Sequence, residues 1–339
     1  MVVERNVPLA PYTTLKIGGA ARFFVRAESE RQIIEGFDFA EKNDLSVFVL
    51  GGGSNVLIAD EGFDGLVLQI ALKGIEVSGG SVTARAGEDW DAFCAFCVEQ
   101  SLAGIECLSG IPGLVGGTPV QNVGAYGQEV SETISKVRVF DRKTKKILEL
   151  GNEDCQFDYR TSLFNTVEKN RFIVTAVTFN LKLNGEPKIV YKDLLQYFAG
   201  VKPSLSETRE AVLNIRRAKS MVIDENDPNS KSAGSFFKNP ILSREKYEEI
   251  SEKLGRTIPH YPVDEKTVKI PAAWLIENSG FEKGYRKANV GLSSVHTLAI
   301  VNTGDASAGE VIALKNEIQK EVQKHFDVLL QPEPVFIGF

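Results

Sequence analysis

Cysteine and histidine are scarce. Four cysteines (Cys94, Cys97, Cys107, Cys155) and three histidines (His260, His296, His325) are spread over 339 residues. A structural zinc site needs a second cysteine pair beside "CAFC" at 94–97, and Cys107 and Cys155 stand 48 residues apart. No metal is therefore expected. Trp90, Phe93, Cys94, Cys97 and Val98 recur at helical intervals, which places both thiols of the CxxC on a buried helix face. No histidine precedes residue 260, so a histidyl-linked cofactor in the first two thirds of the chain is excluded. Basic runs are also lacking. The net charge is −6 and no Lys/Arg run exceeds "RKTKK" (142–146), which reads as a hairpin turn. A nucleic-acid partner, which would call for a basic face, is not expected. No window approaches the ~20 apolar residues of a membrane span. The start, "MVVERNVPLAPYTTLKIGG", has no apolar core flanked by basic residues, so no signal peptide is read there and a cytoplasmic location is expected.

What the chain does have is clustered glycine. Strands are expected at 21–27 and 46–50, with a helix between them opened by Ser29 as its cap, which makes a β-α-β unit. Next comes "GGGSN" (51–55). A dinucleotide fingerprint would need a third glycine where Val56 stands, and a P-loop would need a following GK[ST]. The loop instead joins two strands, as a tight turn or as a nest of N–H groups for phosphate oxygens. A second segment, "GIECLSGIPGLVGGTPVQNVGAYG" (104–127), is too apolar for an exposed linker and too broken for a helix. A buried glycine-rich loop must pair its backbone groups, and an extended polar ligand such as a dinucleotide would supply partners. Two such loops suggest one large phosphate-bearing cofactor. Further on, 136–150 and 171–183 read as strands and 188–231 as largely helical. Helices are expected near 243–254, at "PAAWLIENSG" and over "SAGEVIALKNEIQKEVQKHF", and a strand at 296–302.

Seven motifs, in order, carry a resemblance: "TTLKIGGAARFFV", "LGGGSNVLIAD", "LSGIPGLVGGTPVQNVGAYGQEV", "FDYRTSLF", "AGSFFKNP", "AAWLIENSG" and "QPEPVFIG". The chain resembles the UDP-N-acetylenolpyruvoylglucosamine reductases, flavoenzymes of bacterial cell-wall synthesis. The resemblance implies an α+β fold. A two-lobed FAD-binding domain of the PCMH/vanillyl-alcohol-oxidase type would span 1–204, with lobes of roughly 1–70 and 71–204. An α+β substrate-binding domain would follow over 205–339, its tail returning to the active site. It also implies non-covalent FAD, NADPH as hydride donor, UDP-N-acetylglucosamine enolpyruvate as substrate, and a monomer.

Residue by residue, the resemblance assigns FAD contacts to Gly51, Gly52, Gly53, Ser54 and Asn55 in the first loop. In the second it assigns Ile111, Pro112, Gly113, Gln121, Asn122, Gly124 and Tyr126. Arg160 matches the catalytic arginine, and a guanidinium can grip an enolate carboxylate through two parallel bonds. Ser235 matches the proton donor to C2. Serine is not a usual general acid, and the residue types alone would favour a turn serine here. Glu333, between Pro332 and Pro334, matches the catalytic glutamate. Tyr159, Tyr191, Arg216, Lys219, Lys238, Asn239, Tyr261 and Lys269 fall at substrate positions, with Tyr191 in a loop that covers substrate in one subclass. His296 departs from the family spacing. It is counted on the substrate side, at the place of a glutamine. Two rival readings stand beside this one: another FAD oxidoreductase of the same fold acting on a sugar or hydroxy-acid, and a non-catalytic nucleotide-sugar or flavin binder.

Overall fold

The computed structural model describes all residues, 1–339, and the fold is α+β. The chain divides into two compact units. The first comprises 1–7, 21–53 and 63–222; the second comprises 8–20, 54–62 and 223–339.

In the first unit, one sheet has the strand order Glu4–Pro8, Ala20–Ala27, Phe63–Ile70, Val47–Leu50. The expected β-α-β unit is present, but the Phe63–Ile70 strand lies between its two strands, parallel to both. Helix α1 (Glu30–Lys42) starts at Ser29, whose hydroxyl accepts the Gln32 N–H. The other sheet has the order Lys146–Gly151, Ile134–Asp141, Phe172–Asn180, Ser81–Arg85, Ile75–Ser78, all antiparallel. Its 141–146 turn is the hairpin expected at "RKTKK". Helix α2 (Trp90–Glu99) is capped by Asp89. It buries Trp90, Phe93, Cys94 and Cys97 in one apolar core, shared with Ile33 of α1 and with Val25, Leu68, Val82, Val137 and Phe179 from both sheets. Both thiols of the CxxC are free, and burial pushes Cys97 up to about 12. At that value the reactive thiolate is scarce at neutral pH.

Helices α3 (Lys192–Phe198) and α4 (Leu205–Arg217) complete this unit. The segment 188–231 is thus helical only in part. The division expected at 204/205 is also displaced. Ser204 and Glu207 form a capping box there, which reads as a fresh start in sequence. Yet α4 packs back on the first unit. Arg209 Nη1 and Nη2 pair with the Asp91 carboxylate at 2.5 and 2.9 Å, and the chain changes unit only after Val222.

The second unit holds two three-stranded antiparallel sheets. One runs Ile241–Ser243, Thr267–Lys269, Tyr261–Pro262, the other Arg286–Lys287, Val290–Leu292, Ile300–Asn302. The strand expected over 296–302 is confined to its last three residues, because Ala299 N–H turns back to the His296 carbonyl. Helix α5 (Arg244–Leu254) is capped by Ser243. Helix α6 (Ala272–Glu277) and α7 (Ala308–Phe326) pack on the same core. Helix α7 buries Val311, Leu314, Ile318, Val322 and Phe326, a stripe at intervals of three and four. The Asp60 carboxylate accepts its first two N–H groups, of Ala308 and Gly309. The tail strand Val335–Ile337 lies parallel to Val56–Ile58.

Candidate active site

The two glycine loops meet within the first unit. A Cβ added to Gly52 would lie 2.8 Å from Gly113 Cα and 3.1 Å from Gly113 C. Only two glycine-bearing backbones could approach so closely. A Cβ on neighbouring Gly51, by contrast, would meet nothing within 4 Å. The second loop is anchored from behind. Trp90 N–H donates to the Gly113 carbonyl, Val115 N–H to that of Glu88, and Gly116 N–H to that of Ala86. The result is a bare backbone surface with space beside Gly51, of the kind a flat ligand needs.

Beyond these loops, Asn122 is buried with φ +43 and its side chain is committed within the protein. Its amide donates to Glu129 and to the Asp158 carbonyl, and its oxygen accepts from Ser131 N–H. Arg160 has φ +54. Its guanidinium donates to the carbonyls of Asn122 at 3.3 Å and Gly124 at 2.6 Å. Tyr126 and Arg160 share this left-handed backbone, uncommon outside glycine and concentrated at functional sites. The arginine is therefore tied to the loop that the sequence assigns to the cofactor, and Tyr159 lies under its guanidinium, 5.6 Å from ring centroid to carbon.

A second cluster in the same unit joins Tyr126, Tyr191, Arg216 and Lys219. The tyrosine rings meet edge to face at 5.4 Å, and Lys219 Nζ lies 5.9 Å from the Tyr126 centroid. Lys219 also donates to Asp193 at 2.8 Å. Burial works against its charge, but Asp193 outweighs that and the ammonium is held above its ordinary value. Arg216 donates to the Met221 carbonyl at 2.7 Å, and burial pulls its guanidinium below its ordinary value. Its Nε is out of solvent and has no hydrogen-bond partner. A buried unpaired donor costs ~1–3 kcal/mol, which an anionic ligand would offset.

The remaining assigned residues lie in the second unit. Segment 236–238 is stitched on one side to Leu298, through Phe236 N–H. On the other side Glu333 N–H donates to the Phe236 carbonyl and Lys238 N–H to the Gln331 carbonyl, both at 2.9 Å. Phe237 and Pro332 form the β-bridge between them. Phe236 and Phe237 are both buried, which anchors half-buried Ser235 just ahead of them. Glu333, 98 residues from Ser235 in sequence, is thus hydrogen-bonded to the residue that follows that serine. Asn55 donates to the Glu333 carbonyl at 3.4 Å and accepts from Val335 N–H at 3.0 Å. Asn239 accepts the Ala272 N–H at the start of α6, a structural duty for a residue assigned to substrate. Tyr261 and Lys269 face each other across a sheet pair. His296 lies in the turn before Ala299. No group of three or more His, Cys, Asp or Glu side chains is placed to hold a metal ion, and no helix is long and apolar enough to cross a membrane.

Comparison with known proteins separates the rival readings. A reductase from Thermobifida fusca (strain YX), named UDP-N-acetylenolpyruvoylglucosamine reductase, is 44% identical over 349 aligned positions, covering 98% of each chain. The chain belongs to the UDP-N-acetylenolpyruvoylglucosamine reductase family. A relative of the same name from Streptomyces coelicolor is 41% identical, covering 98% of this chain and 90% of its own. The family models agree in order. "FAD binding domain" matches residues 21–151, and "UDP-N-acetylenolpyruvoylglucosamine reductase, C-terminal domain" matches 227–337. The crystal structure of the reductase from Thermus caldophilus covers all of both chains at 26% identity, with a TM-score of 0.70. The protein is thus an FAD-dependent oxidoreductase. Sequence reasoning missed Asp193, Asp91 and Glu106, which bond groups 26, 118 and 82 residues away.

Proposed function

We propose that this protein reduces the enolpyruvyl double bond of UDP-N-acetylglucosamine enolpyruvate, giving UDP-N-acetylmuramate for peptidoglycan synthesis. We place it in the cytoplasm as a monomer, with no membrane or nucleic-acid partner. FAD would rest non-covalently on Gly51–Asn55, Ile111–Gly113 and the 121–126 segment. When bound, it supplies hydride taken from NADPH.

The chain's own residues then have three tasks. Negative charge develops on the substrate's carboxylate as hydride reaches C3. Arg160 binds that carboxylate. Its bonds to the Asn122 and Gly124 carbonyls fix the plane of the fork beforehand, so no reorganisation is needed as charge builds. Ser235 gives its hydroxyl proton to C2. A weak acid suffices against an enolate-like carbon held at contact distance. Glu333 shares that end of the reaction, polarising the enolate or relaying the proton. The buried, unpaired Arg216 Nε and the ammonium of Lys219 suit a diphosphate, with Tyr191 over the substrate. Lys238, Asn239, Tyr261, Lys269 and His296 complete the substrate contacts.

The observation that carries this reading is the hydrogen bonding of 236–238 to 331–333, which brings Glu333 beside the segment that follows Ser235. Anaerobic stopped-flow of Ser235→Ala tests it. Flavin reduction by NADPH should stay nearly intact, while reoxidation by the enolpyruvyl substrate slows severely. Equal losses in both half-reactions would refute the proton-donor role.

A further inference from the structure

Glu106 has no assigned task, yet its carboxylate is fully buried and accepts three hydrogen bonds from three separate segments. One oxygen accepts Gly104 N–H at 2.7 Å. The other accepts the Gln128 side-chain amide at 2.7 Å and the Lys188 N–H at 3.0 Å. Gln128 in turn accepts the Cys107 N–H at 2.8 Å, and the Cys107 thiol donates to the Lys188 carbonyl at 3.5 Å. A buried carboxyl is costly unless its bonds are made. Here they are made to the two segments that carry Tyr126 and Tyr191.

Gln128 closes the short hairpin in which Ala125 faces it, just past Tyr126. Lys188 lies three residues before Tyr191, and its ammonium is also held, by Glu132 at 2.7 Å. Above this base the two segments touch closely. A Cβ on Gly127, which has φ +83, would lie 2.5 Å from Val190 Cγ2 and 3.8 Å from Tyr191 Cβ. The Tyr126–Tyr191 ring contact is the top of the same stack.

We infer that Glu106 is a positioning residue that fixes Tyr191 against Tyr126 by fastening the Gln128 hairpin and the Lys188 segment to one buried carboxylate. The inference rests on the proposed role of Tyr191 in covering the nucleotide-sugar substrate. It says what holds the covering segment in register. The carboxylate is required, because an amide cannot replace it. Glu106→Gln keeps the shape but offers one acceptor and one donor to three N–H donors, so in either orientation at least one N–H faces an N–H.

The test is a double-mutant cycle in steady-state kinetics, with Glu106→Gln, Tyr191→Ala and the combination. Glu106→Gln should raise KM for the enolpyruvyl substrate about tenfold, the scale of one lost buried hydrogen bond. It should leave kcat within about twofold, since it touches none of Arg160, Ser235 and Glu333. In the Tyr191→Ala background the same substitution should change KM by less than about twofold, since the residue it positions is gone. Hydrogen exchange should show faster exchange at the amides of 188–193 in Glu106→Gln, with amides of α7 unchanged. Additive effects on KM, or unchanged exchange at 188–193, would overturn the positioning role. If Tyr191→Ala alone leaves KM unchanged, the covering role of Tyr191 fails instead, and hydrogen exchange still decides whether Glu106 holds the segment. If Glu106→Gln does not fold, Gln128→Ala, which removes one of the three donors, should give the same selective rise in KM and the same exchange pattern. Its absence would overturn the inference.

Discussion

Gly51→Ala and Gly52→Ala form a matched pair that tests the cofactor cradle. At Gly52 the new methyl would lie 2.8 Å from Gly113 Cα, short of the 3.4 Å of ordinary contact by about 0.6 Å. The obstacle is backbone, which cannot rotate aside. Gly113 is moreover tied to Trp90 N–H, so the second loop cannot recoil without loss. Overpacking of this kind costs ~1–3 kcal/mol. If the strain falls on the ligand-free protein, Tm should drop by about 2–4 °C for each kcal/mol. If it is relieved by parting the loops, FAD affinity should fall by ~5–150-fold. At Gly51 the methyl meets nothing, so ligand-free Tm should move by less than ~1 °C, as for a neutral surface change. Flavin, however, would lie where that methyl projects, and affinity should fall by at least about tenfold, the scale of a methyl forced against a ligand. The assays are calorimetry on the apoprotein and FAD titration followed by quenching of flavin fluorescence. A Gly51→Ala protein that binds FAD like the wild type would refute the cradle, whatever Gly52→Ala does.

Two further outcomes follow from the same geometry. Arg160→Lys keeps the charge but loses the fork that bonds Asn122 and Gly124, so reoxidation by substrate should slow by ~10²–10³-fold, with the loss smaller for reduction by NADPH; equal loss in both half-reactions would count against it. The Arg171 guanidinium, with the Lys143 N–H and the Thr144 hydroxyl, holds the buried Asp141 carboxyl well below the usual carboxylate range. Its folded value is depressed, so its contribution to stability is complete above the unfolded value of ~3.9 and is lost as pH falls below it. Tm of the wild type should therefore fall more steeply between pH 5 and 3 than that of Asp141→Asn, in thermal melts followed by circular dichroism; parallel curves would refute the assignment.

Much of the fold was legible because the signals were local. Ser29 before α1, Ser307 with Glu310 before α7, and the apolar spacing of Trp90, Phe93, Cys94 and Cys97 each act within a few residues. So does the 142–146 turn, although the reason it holds, Asp141 bonded to Arg171 across the sheet, is not local. Where sequence reading went astray, a local signal outvoted a distant one. A division at 204/205 falls at the start of α4, but the Arg209–Asp91 pair binds that helix to a partner 118 residues away. The glycine loops were legible as two, and the second as apolar. That they touch at Gly52 and Gly113 was not, since nothing within either loop encodes the other. Glu106 is the extreme case. A glutamate in an apolar stretch carries no pattern, and its partners at 128 and 188 are ordinary residues in sequence.

Residues 54–62 explain why a contiguous division of this chain fails. They follow the first glycine loop directly, yet their strand, Val56–Ile58, pairs with the tail, 279 positions further on. The tail sequence makes that pairing specific. Between Gln331 and Val335, two prolines leave Glu333 as the only residue with a backbone N–H, and that N–H goes to Phe236. The Glu333 carbonyl takes the Asn55 amide, and the next N–H, of Val335, goes to the Asn55 carbonyl. The glutamate's backbone is thus bonded on both sides, to Phe236 next to Ser235 and to the residue that ends "GGGSN". Two fixed bonds and two flanking prolines leave little freedom in φ or ψ, so the direction of its Cα–Cβ bond is set by the fold before any ligand arrives. Asn55, assigned in sequence to the cofactor, therefore also has a structural task. The end of the first glycine loop and the tail glutamate are held by one set of hydrogen bonds, and a shift in either must move the other.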